Sequence, residues 1–178
     1  MINQLGTYSL LLALISSVYL IYKSFFSFRT SEKNLDSKIF SVITIQFLMI
    51  VISFLSLTYA FLVSDFSNQT VFNNSHTTIP LFYKFSGTWG NHEGSLLLWL
   101  SVLVIFLLIF IIKSNDQKIS YRLLTILFQE IIIFGFLLFI LLTSNPFLNL
   151  FPIPTEGQGL NPILQDPALA IHPPVLYL

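Results

Sequence analysis

Four long apolar blocks organise the chain, running from about Leu5 to Tyr22, Ile39 to Val63, Ser95 to Ile112 and Leu123 to Leu142. Each is close to the ~20 residues that a helix needs to cross a hydrocarbon layer of ~30 Å. None shows a polar stripe at helical spacing, and a helix that is apolar all round suits lipid on its outer side. The first block has neither a basic segment before it nor a small-residue cleavage site after it, so the pattern predicts a retained span, not a removable leader. The expectation is an all-α, polytopic transmembrane helix bundle of four spans. Residues 1–178 then form the N-terminal part of one multi-span membrane domain, with long connections over 64–94 and 143–174.

Charge gives these spans a direction. Lys23, Arg29, Lys33 and Lys38 lie between the first two blocks, Lys113, Lys118 and Arg122 between the last two, and only Lys84 lies elsewhere. Basic residues mark the cytoplasmic or matrix side. Both termini and the two long loops are therefore expected on the opposite, periplasmic or intermembrane-space side. Asp65, His76, His92, Glu93, Glu156, Asp166 and His172 go with them, so any chemistry is expected there.

Composition narrows the function classes. Hydrophobic residues make up 54% of the 178 positions and charged residues 9%, far below the ~25% charge of a soluble domain. Net charge is zero, which leaves no basic footprint for nucleic acid. With no cysteine, the chain can offer neither a disulfide framework nor a thiolate metal site. Abundant Phe, Ile, Leu, Asn and Ser fit an AT-rich genome, bacterial or mitochondrial.

Two loop segments hold the candidate chemistry. In "WGNHEGS", Gly90 and Gly94 bracket His92 and Glu93 and are expected to allow a tight positive-φ backbone. Ser95 is the expected N-cap of the third span. Trp89 and Trp99 are expected in an aromatic belt at headgroup level. Two readings stay open for this segment: a plain helix-start turn with interfacial tryptophans, or a His92–Glu93 hydrogen-bonding or ligand pair held at the membrane surface.

In "NPILQDPALAIHPPVLYL", Asn161 and Asp166 are each followed by proline, the pattern of an N-cap with Pro at the first helical position. Two short helical turns are expected. Pro173 should push His172 into extended backbone, and Pro173-Pro174 should then stiffen the chain into a fifth span that begins near Val175. A histidine mounted so rigidly loses little backbone entropy on taking a ligand. It could serve as an axial metal or haem ligand, or be merely solvated.

Glu130 lies inside the fourth block, where a carboxylate costs on the order of 2.5–3.5 kcal/mol. It is expected to be protonated or to face neighbouring helices, with Gln129 as a candidate neighbour. A proton relay and a packed hydrogen-bonding role are both open.

Taken together, "DFSNQTVFNNSHTTIPLFYKFSGTWGNHEGSLLLWL", "FLLFILLTSNPF" and "LNPILQDPALAIHPPVLYL" resemble the N-terminal part of the CcmF family. That family is the large membrane subunit of the haem lyase in system-one cytochrome c maturation. The resemblance runs in register from Met1 to Leu178. It implies an inner-membrane protein that takes haem from a haem chaperone and positions it for thioether attachment to apocytochrome c on the outer side. It also implies partnership with other maturation subunits. The family holds haem against a tryptophan-rich outer segment between two outer histidines, and the first of these corresponds to His172. His172 would then be an axial ligand of haem iron. Trp89, His92, Glu93 and Trp99 are supporting candidates, with no catalytic nucleophile expected in the chain.

The tryptophan-rich segment, the second outer histidine and the family's membrane-embedded histidines do not occur in these 178 residues. The chain is thus expected to be part of a longer or split protein, and to need the remaining C-terminal part for activity. Two competing functions have other origins. One is a subunit of an ion- or proton-translocating complex built on Glu130. The other is a non-catalytic membrane scaffold.

Overall fold

The computed structural model describes residues 1–30 and 35–177. Lys33, one of the basic residues used for orientation, and Leu178 lie outside them. The structure is all-α: α1 (Ile2–Arg29), α2 (Ser37–Leu62), α3 (Gln69–Asn74), α4 (Leu81–Gly87), α5 (His92–Lys113), α6 (Ile119–Thr143), a 3-10 turn over Pro162–Gln165, and α7 (Pro167–Tyr177). Four of these, α1, α2, α5 and α6, are long and apolar enough to cross a membrane. Each outruns its apolar block at one end or both, because the polar flanks continue the helix. Lys23 to Arg29, for example, form the last turns of α1.

The four long helices close a ring in which α1 touches α2 and α6, and α5 touches the same two. The buried face of α1 carries Gly6, Ser9, Ala13, Ser17, Ser24 and Ser27. Such small side chains let helices approach closely where lipid supplies no hydrophobic drive. Leu10, Ile50, Leu57, Leu100, Ile133 and Leu137 fill the space between the helices and are fully buried. The outward faces are apolar too: Ile15 is 65% and Phe128 63% exposed, as lipid-facing residues should be.

One end of the bundle is short and charged. Lys23 pairs with Asp36 at 3.0 Å, and Asp36 N-caps α2 by accepting the backbone N–H of Lys38 at 2.9 Å. That backbone donor, with Lys23 second, holds the Asp36 carboxyl below its usual range. Arg122 of α6 donates to the Ile111 carbonyl at 2.9 Å and to Ser114 Oγ at 3.0 Å. It thereby satisfies one carbonyl that the end of α5 leaves unpaired.

The other end carries both long loops, held together by three asparagines. Asn68 Nδ2 donates to Asn3 Oδ1 and to the Pro146 carbonyl, both at 2.9 Å, and Asn3 Nδ2 donates to Asn149 Oδ1 at 2.7 Å. Asn68 Oδ1 also caps α3 through Val71 N–H. An isolated antiparallel bridge between Asn68 and Asn149 lies beside this cluster. Buried backbone away from helices must find partners, and these side chains and the bridge supply them.

Several local expectations are corrected here. The first long loop contains α3 and α4, which periodicity did not suggest. α5 starts at His92 with Asn91 as its N-cap, not at Ser95: Asn91 Oδ1 accepts Gly94 N–H at 2.7 Å, and its amide donates to the Gly87 carbonyl at 2.7 Å. Neither Gly90 nor Gly94 has a positive φ; among the glycines only Gly159 does. Gly94 is needed for close approach instead, since a Cβ there would run into the Thr88 carbonyl. In the last loop the 3-10 turn is capped by Asn161 as expected. The second turn, however, does not stop before His172. α7 runs from Pro167 through His172, Pro173 and Pro174 to Tyr177, so His172 is helical, not extended.

Candidate functional site

α7 lies against the start of α5 and against α4. Asp166 nucleates it, with Oδ1 accepting the N–H groups of Ala168 at 2.9 Å and Leu169 at 3.1 Å. Burial divides its surface along helical spacing. Ala170 is 4% exposed, and Pro173, Pro174 and Tyr177 on the same face are partly buried. Leu169, His172, Val175 and Leu176 occupy the exposed face. The His172 imidazole makes no hydrogen bond or ion pair among the described residues, so it is free to meet a ligand.

The two tryptophans flank the buried face of α7. Trp89 is buried against the protein, with its indole N–H donating to the Ala170 carbonyl at 2.8 Å. Phe85 meets its ring edge-on at 4.9 Å between centroids. Trp99 lies flat on Tyr177, with rings 5.6 Å apart and 2° from parallel, and meets Phe136 edge-on. Sequence reasoning put both tryptophans near the membrane surface but did not connect them with "HPP".

His92 and Glu93 do not form a pair. His92 Nε2 lies 3.1 Å from Ser144 Oγ, and its ring meets Phe139 edge-on. It therefore ties the first turn of α5 to the C-cap of α6. Glu93 sits in the first turn of α5, where a negative charge suits the helix dipole, and makes no side-chain hydrogen bond among the described residues.

The loops are also clasped to each other. Glu156 accepts from Thr77 Oγ1 at 2.6 Å, from Thr77 N–H at 3.0 Å and from Gly157 N–H at 3.0 Å. The Thr77 hydroxyl is the main cause that brings the Glu156 carboxyl down to about 2. His76 Nε2 stands 3.8 Å from the same carboxylate. Among the described residues no group of three or more His, Cys, Asp or Glu side chains gathers as a metal site.

Glu130, deep in the bundle, is fully buried. Its partner is Gln46 of α2, whose Nε2 donates to Oε2 at 3.0 Å, and not Gln129. Ser17 of α1 donates to the Glu130 carbonyl at 3.2 Å. Gln129 turns instead toward the Leu103 carbonyl of α5 at 3.4 Å.

A family model described as "Cytochrome C assembly protein" matches residues 89–178, half of the chain and all of the Trp89–α7 region. Over its whole length the chain is 43% identical to the cytochrome c-type biogenesis protein CycK of Rhizobium meliloti, covering 26% of that protein. It is 41% identical to the CcmF of Haemophilus influenzae, again over the whole chain and 28% of that protein. A solved structure titled cytochrome c heme lyase CcmF shares the fold, with a TM-score of 0.84 at 22% identity, over 99% of this chain and 28% of that one. The chain thus spans about a quarter of the length of the curated relatives it matches.

Proposed function

The chain belongs to the cytochrome c assembly protein family, and we propose that it forms the N-terminal portion of a haem lyase membrane subunit. As a multi-pass membrane protein it would lie in a bacterial plasma membrane or a mitochondrial inner membrane. The charge bias of its loops directs the Asn3–Asn68–Asn149 end outward. The remaining C-terminal part of the same protein, a haem chaperone, apocytochrome c and other maturation subunits are its partners in this reading.

One observation carries the proposal. His172 is exposed on α7 with no side-chain partner among the described residues. Leu169, Val175 and Leu176 share its face at offsets of three and four, respectively 43%, 65% and 66% exposed. The donor set fits haem on one side: a single neutral imidazole suits an axial position on iron, and the apolar neighbours suit the porphyrin. A bare metal ion would want several ligands, which this end of the bundle does not gather among the described residues.

Bound haem would supply the vinyl carbons to which the apocytochrome thiols add. This chain's share would be to hold the group through His172 and keep its orientation, and fixed geometry alone can lower such a barrier considerably. His92, through Ser144, and Trp99, through Tyr177, brace the elements on which α7 rests. Glu93 stands beside them as a supporting charge. The translocation reading finds less support, since the hydrogen-bond partner of Glu130 is a neutral amide.

The test is His172→Ala in the complete protein. The outer haem absorbance should fall or vanish while the protein still inserts in the membrane. An unchanged haem spectrum with normal cytochrome c yield would overturn the assignment.

A further inference from the structure

In a helix, the carbonyl of residue 170 accepts from the N–H of residue 174, or of residue 173 if the turn tightens. Here both are prolines, and neither has an N–H to give. The double proline of "HPP" therefore strips the Ala170 carbonyl of both ordinary helical partners. Ala170 is only 4% exposed, so water is a poor substitute. The Trp89 indole fills the gap at 2.8 Å.

Trp89 is itself fixed. Its ring stands against Phe85, and its backbone N–H donates to the Ser86 carbonyl. The Asn91 side chain clasps the same turn to the end of α4 and the start of α5. Five residues after His172, Tyr177 is laid flat on Trp99. α7 is thus gripped on its buried face both before and after the exposed histidine.

We propose that Trp89 is a positioning residue for His172. It latches onto the carbonyl that Pro173 and Pro174 leave open, and so sets how α7 is rotated and how the imidazole is presented. Its reach across 81 positions links "WGNHEG" to "HPP", which the chain otherwise keeps apart. The latch itself is independent of haem; its effect on haem rests on the reading of His172 given above.

The experiment uses Trp89→Phe in the complete protein, which keeps an aromatic ring and removes only the donor. The backbone amides of 171, 172 and 175–177 should exchange with deuterated solvent about tenfold faster, as for loss of one buried hydrogen bond. The amides of α5 should keep their protection. The axial signature of the outer haem, read by electron paramagnetic resonance, should shift without the haem being lost. Unchanged exchange and an unchanged signature would overturn the latch. Faster exchange in W89F together with an unaltered haem in H172A would keep the latch and overturn the haem reading instead.

Should W89F fail to accumulate, Pro174→Ala reads the same contact from the other side. It gives the Ala170 carbonyl an in-helix donor that competes with Trp89. Here α7 should exchange more slowly while the axial signature still shifts. A wild-type signature in P174A would count against the proposal.

Discussion

Two of the polar regions of this molecule follow opposite rules. Mid-bundle, buried polar side chains are mostly small, and one cluster joins α1, α2 and α6 at Glu130, with Gln46 donating to its carboxyl and Ser17 to its carbonyl. At the loop end, asparagines, Thr77, Glu156, His92 and Trp89 form a dense set of side-chain bonds over irregular backbone. The difference follows from solvent. Within the bundle the helices satisfy their own backbone, so a polar side chain is needed only to register neighbours. At the loop end the chain leaves regular helix, and each buried N–H and carbonyl needs a named partner. The first region can tolerate almost no new charge, whereas the second depends on the identity of individual donors.

The sharpest way to break that contrast is a charge in the middle. Gln46 Oε1 and Glu130 Oε1 are both buried without a hydrogen-bond partner among the described residues, so the pair lacks a donor. Gln at 130 supplies an N–H there, so Glu130→Gln should change stability by less than about 1 kcal/mol. Glu130→Lys would leave an unpaired buried cation and should cost about 3–5 kcal/mol. Thermal unfolding in detergent, with the yield of membrane-inserted protein, separates the two. Loss of cytochrome c assembly in a well-folded E130Q protein would instead favour a titrating role.

The next effect belongs to the loop end. Asn68 is fully buried and serves α3 as N-cap while binding Asn3 and Pro146. Asn68→Ala removes a cap and strands a carbonyl, for about 2–4 kcal/mol together. Hydrogen exchange should accelerate around 66–74 and 146–150 but not mid-bundle. Uniform acceleration over all four long helices would mean that the two regions are not separable.

What could be read beforehand divides along the same line. The spans were legible because lipid imposes length and apolarity on contiguous residues. Only their ends ran on, as α1 does to Arg29. Asn161 and Asp166 were legible as caps because capping is local. Asn91 was passed over for Ser95 although both can cap; what decides is the reach of Asn91 back to Gly87, which no spacing rule contains. The asparagine cluster joins residues up to 146 positions apart and leaves no pattern. For His172 the local rule that proline bars helix before it was overridden. Asp166 starts the helix six residues earlier, and Trp89 replaces a bond the prolines remove.

The mildest test concerns the clasp between the two loops. The Glu156 carboxyl titrates at about 2 in the folded protein, below its ordinary 4.5, chiefly because the Thr77 hydroxyl bonds its charged form. A group lowered on folding contributes stability that is complete above its unfolded value and is lost as pH falls toward the folded one. The contribution should therefore be intact at neutral pH and fade between about 4.5 and about 2. Because the group lies at the surface, this should loosen the loops without unfolding the bundle. Proteolytic nicking near Thr77 should rise across that window in the wild type. Glu156→Gln should nick at an even, slightly higher rate at every pH, since an amide cannot titrate. If E156Q keeps the wild-type acid response, the group whose titration loosens the loops is not Glu156.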